Sequence, residues 1–412
     1  MGMWIGIDDT DSRKGMCTTY LLAELMEELS KFKIASLPRL IRLNPNIPFK
    51  TRGNGAVSIE ILEWEEECRE IVVNAIEERA MMEDDATHPG VVFIENPENY
   101  RELYHRALHE VLSVEEVVRA LEKNGDEFAG WKKKRGVIGA AAAVGAELHD
   151  YTFELLAYRF PERWGTERCV DEESVFRANE LTFPHTWDNV DEDERRIVIA
   201  PNSPDPVLFG IRGDSPAHIF LAYQTIRSEE VYKEVLFLTN QGTDAHIERK
   251  MPEREFGSYA FTGEVTSDPW EISGGHVFIE VSGIKCAAFE PTKKFRNVIR
   301  KLRKGDVVEV YGGYKKGTLN LEKMRIIKLR EFEEVNPVCE KCGRRMESAG
   351  AGKGFRCRKC GEKKMERELV RVEREISPGF YEVPPSARRH LAMPLARILR
   401  REVSEREASR SP

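Results

Sequence analysis

The chain has 412 residues, of which 41% are hydrophobic and 33% charged, and a formal net charge of −8. That length exceeds one ordinary core and predicts about two to four domains. The composition excludes a membrane protein, and the acidic balance excludes bulk charge as a reason to bind nucleic acid.

The first apolar run, Trp4-Ile5-Gly6-Ile7, predicts a buried parallel strand. Asp8, Asp9 and Asp11 follow at its carboxyl end, where open α/β sheets place ligands. They also interrupt the N-terminus before a secretory apolar core can form, so a cytoplasmic location is expected. A helical stripe of Leu21, Leu22, Leu25, Met26 and Leu29 comes next, with Thr18 or Thr19 as its expected N-cap. A helix N-terminus favours anions. Three carboxylates beside it predict a hard cation, Mg²⁺, between them and a phosphate. A single Asp there would be read as a cap.

Ile34 to Leu43 predicts a strand, Asn44 to Pro48 a turn, Thr51 to Gly55 a Gly-rich loop, and Ala56 to Leu62 a further strand. Glu65 to Arg79 is amphipathic and helical, and Val91 to Ile94 is a buried strand. Helices are expected over Glu98 to Val111 and Val114 to Lys123, the first opened by Asn96 and Pro97 as cap and first-turn proline. Gly130 to Gly139 then sets Lys132, Lys133, Lys134 and Arg135 between glycines and ahead of an Ala-rich helix. Glycines admit phosphate to the backbone, and cations complete the charge. With the Asp cluster this outlines a nucleotide–Mg²⁺ site in an α/β domain, residues 1–148. The order G-x-x-x-x-G-K-[ST] is absent, so the loop is not a Walker A motif.

Residues 149–255 read β-α-β-β-α-β, the ferredoxin-like order. Asp214 stands at a helix start there, where capping is its expected role. Residues 256–332 carry five strands with a helix between the third and fourth, the pattern of an OB-fold that binds RNA. Its Tyr259, Phe261, Phe278 and Tyr311 could stack bases, but they fall on alternating positions and most of them are expected in the barrel core. Residues 333–374 contain Cys339-x₂-Cys342 and Cys357-x₂-Cys360, each pair followed by glycine, which predicts a zinc ribbon with a structural Zn²⁺. Basic residues concentrate here. Lys293 to Lys316 holds nine Lys or Arg, and Cys339 to Arg374 holds twelve against six acidic residues. A basic RNA-facing surface is expected. Residues 375–412 form a basic, proline-punctuated helix or tail.

Trp4 to Asp11, Cys17-Thr18-Thr19, the Gly130–Gly145 loop and helix, the OB-fold and the zinc ribbon together resemble the archaeal tRNA 2-agmatinylcytidine synthetase family over nearly the whole chain. The resemblance implies a kinase-like N-terminal domain and an ATP-dependent ligase. Such an enzyme attaches agmatine to C2 of the wobble cytidine in an isoleucine tRNA with a CAU anticodon, which then reads adenine. It implies Asp8, Asp9 and Asp11 as Mg²⁺ and phosphate ligands, with Lys132, Lys133, Arg135, Gly136 and Gly139 binding the triphosphate. Thr18 becomes a phosphate ligand or a phospho-acceptor. Agmatine is a dication and needs carboxylates and apolar walls, for which Asp205, Phe209 and Asp214 are the candidates. Two other classes fit parts of the chain. A non-catalytic RNA-binding protein would consume no ATP, and a metal-dependent phosphoesterase would cleave its nucleic acid without ATP.

Overall fold

Nine strands form one continuous sheet that organises residues 3–239 of the computed structural model, which describes residues 2–50 and 53–408. From one edge the order is Glu127–Gly130, Gly90–Ile94, Met3–Asp8, Gly55–Ile61, Arg39–Arg42, Lys233–Thr239, Thr152–Tyr158, Val207–Gly213, Thr186–Trp187. Met3–Asp8 is antiparallel to both neighbours, not parallel as its sequence predicted. The physical reason is that its apolar run reports burial of both faces rather than strand direction. The helices Thr18–Glu28 and Glu66–Arg79 pack together, with the first over one face, and Gly136–Val144 packs on the first strand. Gly6 permits that last contact, because a Cβ there would lie 2.2 Å from the Ala140 carbonyl oxygen.

Other elements shift from expectation at their ends. The strand foreseen over Ile34 to Leu43 shortens to Arg39–Arg42, with Ile34 in a single bridge. Asn96 does cap: its side chain accepts from the Glu98 amide, opening a 3₁₀ turn Pro97–Tyr100 before the helix Arg101–His109. Thr51 and Arg52 of the Gly-rich loop lie outside the described residues.

The last four strands of the sheet, with helices Glu172–Thr182 and Pro216–Thr225, realise the β-α-β-β-α-β order with every pairing among them antiparallel. This unit is not separate from the first. Leu238 and Thr239 pair in parallel with Arg39 and Leu40, so one sheet crosses both.

The second large sheet is a barrel. Ser258–Glu264 pairs with Val307–Lys315, which pairs with Thr318–Lys328. That strand runs parallel to Ile284–Ala288, which pairs with His276–Val281. The bridge between Val265 and Val281 closes the ring. Tyr259 and Phe261 are in the barrel core as expected, whereas Phe278 and Tyr311 alternate with core residues and are buried on the other face, Phe278 against Trp270 and Lys285 and Tyr311 against Arg249 and Lys323. A neck of two strands, Phe332–Val335 and Glu368–Arg371, leads to a small module whose core is Cys339, Met346, Phe355 and Cys357.

The chain beyond the module is not an appendage. Gly379–Glu382 adds a strand to the barrel beside Thr318–Lys328. Residues 383–394 then cross to the nine-stranded sheet, and Leu395–Ala408 is helical. A buried charge network ties barrel to sheet along this path. Glu322 pairs with Arg389 at 3.2 Å and with His246 at 3.2 Å. Burial alone would raise the Glu322 carboxyl, but the Arg389 and His246 charges hold it down to about 2. A depressed carboxylate contributes stability above its unfolded pKa and loses it as pH falls. Acid unfolding should therefore steepen between about pH 4.5 and 2. Glu322→Gln should remove that share, on the order of 3 kcal/mol at neutral pH. Denaturant titration of both proteins at pH 7 and 3 checks this, with the difference between them shrinking at pH 3.

Candidate active site

One cavity of about 490 Å³ opens at the end of the nine-stranded sheet where Asp8, Arg42 and Arg212 lie. Strand register brings these groups to the same end. Ile7 opposes Val57, Arg42 opposes Gly55, and Arg212 opposes Glu154. The N-terminus of Thr18–Glu28 supplies Cys17, Thr18 and Thr19 to the wall.

Asp8, Asp9 and Asp11 all line the cavity. Asp8 Oδ1 accepts the Asp9 amide at 2.7 Å. Burial first, and the adjacent Asp9 charge second, keep the Asp8 carboxyl well above the usual carboxylate range. Burial also pushes Asp9 up to about 7, against the lowering pull of Arg135, whose Nη2 is 3.6 Å away. Like charges this close favour a bound cation. The donor set is all carboxylate oxygen, which suits a hard divalent ion. The trio does not form a complete cage by itself. Among the described residues only Cys339, Cys342, Cys357 and Cys360 bring three or more ligand atoms within 4.8 Å of one another. Gly343 and Gly361, at φ +64° and +76°, turn the two cysteine knuckles and donate back to Cys339 and Cys357. That arrangement meets the requirement for structural zinc.

The Ala-rich helix starts at Gly136, a turn earlier than expected, so it takes in the end of the Gly130–Gly139 stretch that the sequence set ahead of it. Its first three amides already donate to the His88, Lys134 and Arg135 carbonyls, so the loop presents the Arg135 guanidinium to the cavity rather than a row of free amides. Lys132 and Lys133 stand outside the lining, and Lys132 Nζ donates to the Met82 and Asp84 carbonyls. Gly139 reaches the cavity and touches Asp8: a Cβ there would sit 1.9 Å from Asp8 Oδ2. Backbone cannot yield much in a packed helix. Gly139→Ala should displace the Asp8 carboxylate and lower product formation at least about tenfold while the far-UV spectrum stays native. An alanine variant with full activity would show that the Asp8 position is not critical.

Thr18 lines the cavity, and its Oγ1 accepts from Thr10 Oγ1 at 3.0 Å. Neither Thr18 nor Thr19 is the N-cap. Cys17 holds that position without a side-chain cap, and its Sγ lies 3.0 Å from Thr19 Oγ1. The threonine hydroxyls are thus occupied with side-chain partners and not with the helix's own amides. The three agmatine candidates separate. Asp205 lines the cavity, with its Oδ1 accepting the Val207 amide at 2.9 Å. Phe209 is buried in the core with Leu155, Ile211 and Ile219. Asp214 does not cap its helix, whose N-cap is Ser215. It instead binds Arg397 at 2.6 Å, and Arg400. Those arginines lie in the C-terminal helix, which local sequence could not reveal as the partner.

The charged cavity residues that escaped the sequence reading include Arg42, Lys50, Glu110, Glu154 and Arg212, together with His390. Glu154 sits inside Thr152–Tyr158, and its Oε1 accepts Arg212 Nε at 2.9 Å. A charged residue within an apolar strand was the signal available, since such groups are buried only with partners.

Acidic and cationic groups gathered in one open cavity, in a chain that also carries a barrel and a zinc-type module, define an enzyme for charged substrates with appended binding domains. Comparison with known sequences narrows the class. The chain matches the TiaS TCKD domain over residues 4–133, the TiaS FLD domain over 134–246 and the TiaS C-terminal zinc ribbon domain over 336–376. It is 51% identical to the isoleucine-tRNA 2-agmatinylcytidine synthetase TiaS of Archaeoglobus fulgidus, covering 97% of this chain and 98% of that one. Among solved structures it resembles a complex of TiaS with its isoleucine tRNA and ATP (TM-score 0.89, 50% identity, 96% of this chain and 97% of that one). It also resembles a complex of TiaS with the same tRNA, AMPCPP and agmatine (TM-score 0.86, 47% identity, 96% and 97%). The chain belongs to the TiaS family of isoleucine-tRNA 2-agmatinylcytidine synthetases.

Proposed function

We propose that this chain uses ATP to attach agmatine to C2 of the wobble cytidine of an isoleucine tRNA with a CAU anticodon. The observation that carries the reading is the cavity that gathers Asp8, Asp9, Asp11, Thr18 and Arg135, in a chain related to TiaS along almost its full length. The C2 oxygen of cytosine is a poor leaving group. Phosphate transferred from ATP converts it to a good one, the agmatine amine attacks C2, and the oxygen departs with the phosphate. Little covalent chemistry is asked of the protein, and positioning and charge neutralisation dominate.

Asp8, Asp9 and Asp11 would hold Mg²⁺, which, when bound, neutralises and orients the phosphate chain. Arg135 is the member of the basic loop that contacts phosphate, while Lys132 and Lys133 supply positive potential outside the cavity. Asp205, which lines the cavity and also pairs with Arg168 at 3.4 Å and with the Ser203 hydroxyl, is the carboxylate we assign to the agmatine cation. The five-strand ring fits an OB-fold that holds the RNA, and the unit at 149–255 fits a ferredoxin-like domain. The four cysteines hold zinc. Among the described residues no helix is long and apolar enough to cross a membrane, and the reaction belongs in the cytoplasm. An RNA-binding protein without catalysis would have no use for the carboxylate cluster, and a phosphoesterase would have none for an agmatine carboxylate. Neither alternative is favoured.

Thr18 is the residue whose role one experiment fixes. Intact-mass analysis after incubation with ATP should show one added phosphate that Thr18→Ala abolishes if Thr18 is an acceptor. Unchanged mass, with a raised KM for ATP in the variant, makes it a ligand. Unchanged mass and unchanged kinetics would remove Thr18 from the site.

A further inference from the structure

We propose a second phosphate subsite in the same cavity, built from Arg42, Lys50, Arg212 and the ring of His390, with His390 delivered by the segment that follows the zinc module. The proposal rests on the functional reading above and adds to it a binding residue. Arg42 lies two strands from Asp8, about 10 Å at the usual spacing, and within reach of the Asp11 charge, so this subsite adjoins the carboxylate cluster.

Charge is the first observation. Arg42 and Arg212 share one carboxylate, Glu154, at 3.8 and 2.9 Å. Lys50 Nζ donates to the Pro45 carbonyl. Arg212 also lies 3.8 Å from Asp188, which in turn serves Arg388. The described residues on this side of the cavity therefore carry more positive than negative charge, an arrangement that favours an anion.

The second observation is the built position of His390. Its carbonyl accepts the Gly242 amide at 2.8 Å, and the Leu391 carbonyl accepts the Asp244 amide at 2.8 Å. On one side Arg389 is anchored by Glu322. On the other the Met393 amide donates to Asp244 at 2.7 Å, and the Met393 carbonyl accepts Lys323 Nζ at 3.0 Å. These bonds fix the backbone while the ring lines the cavity. Gly53 keeps the space between ring and guanidinium open: a Cβ there would lie 2.6 Å from Arg42 Nη1 and 3.3 Å from His390 Cε1. Burial, and then the charges of Arg42, Arg212 and Lys50, hold the imidazole well below its ordinary pKa. A neutral ring among cations adds a directional N–H to a phosphate oxygen without adding to their repulsion.

Two substrates bring phosphate: ATP and the tRNA itself. The zinc-loaded full-length protein is assayed for agmatine-dependent product, titrating ATP, tRNA and agmatine in turn, for the wild type, His390→Ala and His390→Gln. Removing a hydrogen bond to a charged oxygen should raise one KM about tenfold or more, leave the agmatine KM within twofold, and be largely restored by Gln, which keeps an N–H donor. A raised ATP KM assigns the phosphate to the nucleotide, and a raised tRNA KM assigns it to the nucleic acid. The inference is overturned if both stay within twofold, if the agmatine KM alone moves, or if both variants lose kcat and thermal stability together with KM unchanged. Failure of the wild type to form product would instead overturn the functional reading. Gly53→Ala, which crowds the same gap, should raise the same KM as His390→Ala.

Discussion

Asp8→Asn lowers agmatine-dependent product formation by about 10²–10³-fold, equivalent to about 3–4 kcal/mol of transition-state stabilisation, while the melting temperature holds or rises. Asn is nearly isosteric and keeps an oxygen to accept the Asp9 amide, the 2.7 Å contact that Asp8 makes. Only the charge is lost. Because burial raises the Asp8 carboxyl above its unfolded range, the fold disfavours the ionised form, and a neutral isostere relieves that penalty. Activity and stability thus move in different directions, which a merely structural aspartate would not produce. Steady-state assays beside thermal melts decide it. A variant within twofold of wild-type activity would show that the carboxylate cluster has no part in phosphate chemistry.

Loss of zinc has an effect of comparable size but different reach. The cysteine module has its own small core and joins the barrel through a two-stranded neck. Four thiolates brought together without metal are poorly stabilised by so few apolar residues, so binding energy and folding energy are the same quantity here. Cys357→Ser or chelation should unfold residues 336–376, reduce tRNA modification more than about 100-fold, and leave ATP and agmatine binding within about threefold. Zinc content by mass spectrometry, tRNA binding and isothermal titration with each small substrate separate the two effects. Collapse of nucleotide binding together with tRNA binding would contradict the modular picture.

Local chemistry was legible in the sequence and long-range pairing was not. The Asp cluster, the presence of the Ala-rich helix, the five-strand ring and the cysteine knuckles follow from residues close in the chain. Strand direction did not follow, because Met3–Asp8 is covered on both faces whichever way its neighbours run. The partners of Asp214 lie in the helix Leu395–Ala408, at Arg397 and Arg400. His390 enters the cavity from beyond the zinc module. No periodicity announces contacts across that many residues. Phe209 shows the converse: its strand was legible, but its side chain packs in the core and not on the cavity. Of the basic loop Arg135 faces the cavity while Lys132 and Lys133 do not, a choice the run of like charges in the sequence could not show.

The central claim is tested most directly by mass spectrometry of nucleosides from an unmodified CAU-anticodon isoleucine tRNA incubated with zinc-loaded protein, ATP, Mg²⁺ and agmatine. An agmatine adduct on cytidine that requires every component is the predicted result. Intact, unmodified tRNA, or tRNA shortened without ATP, would contradict it.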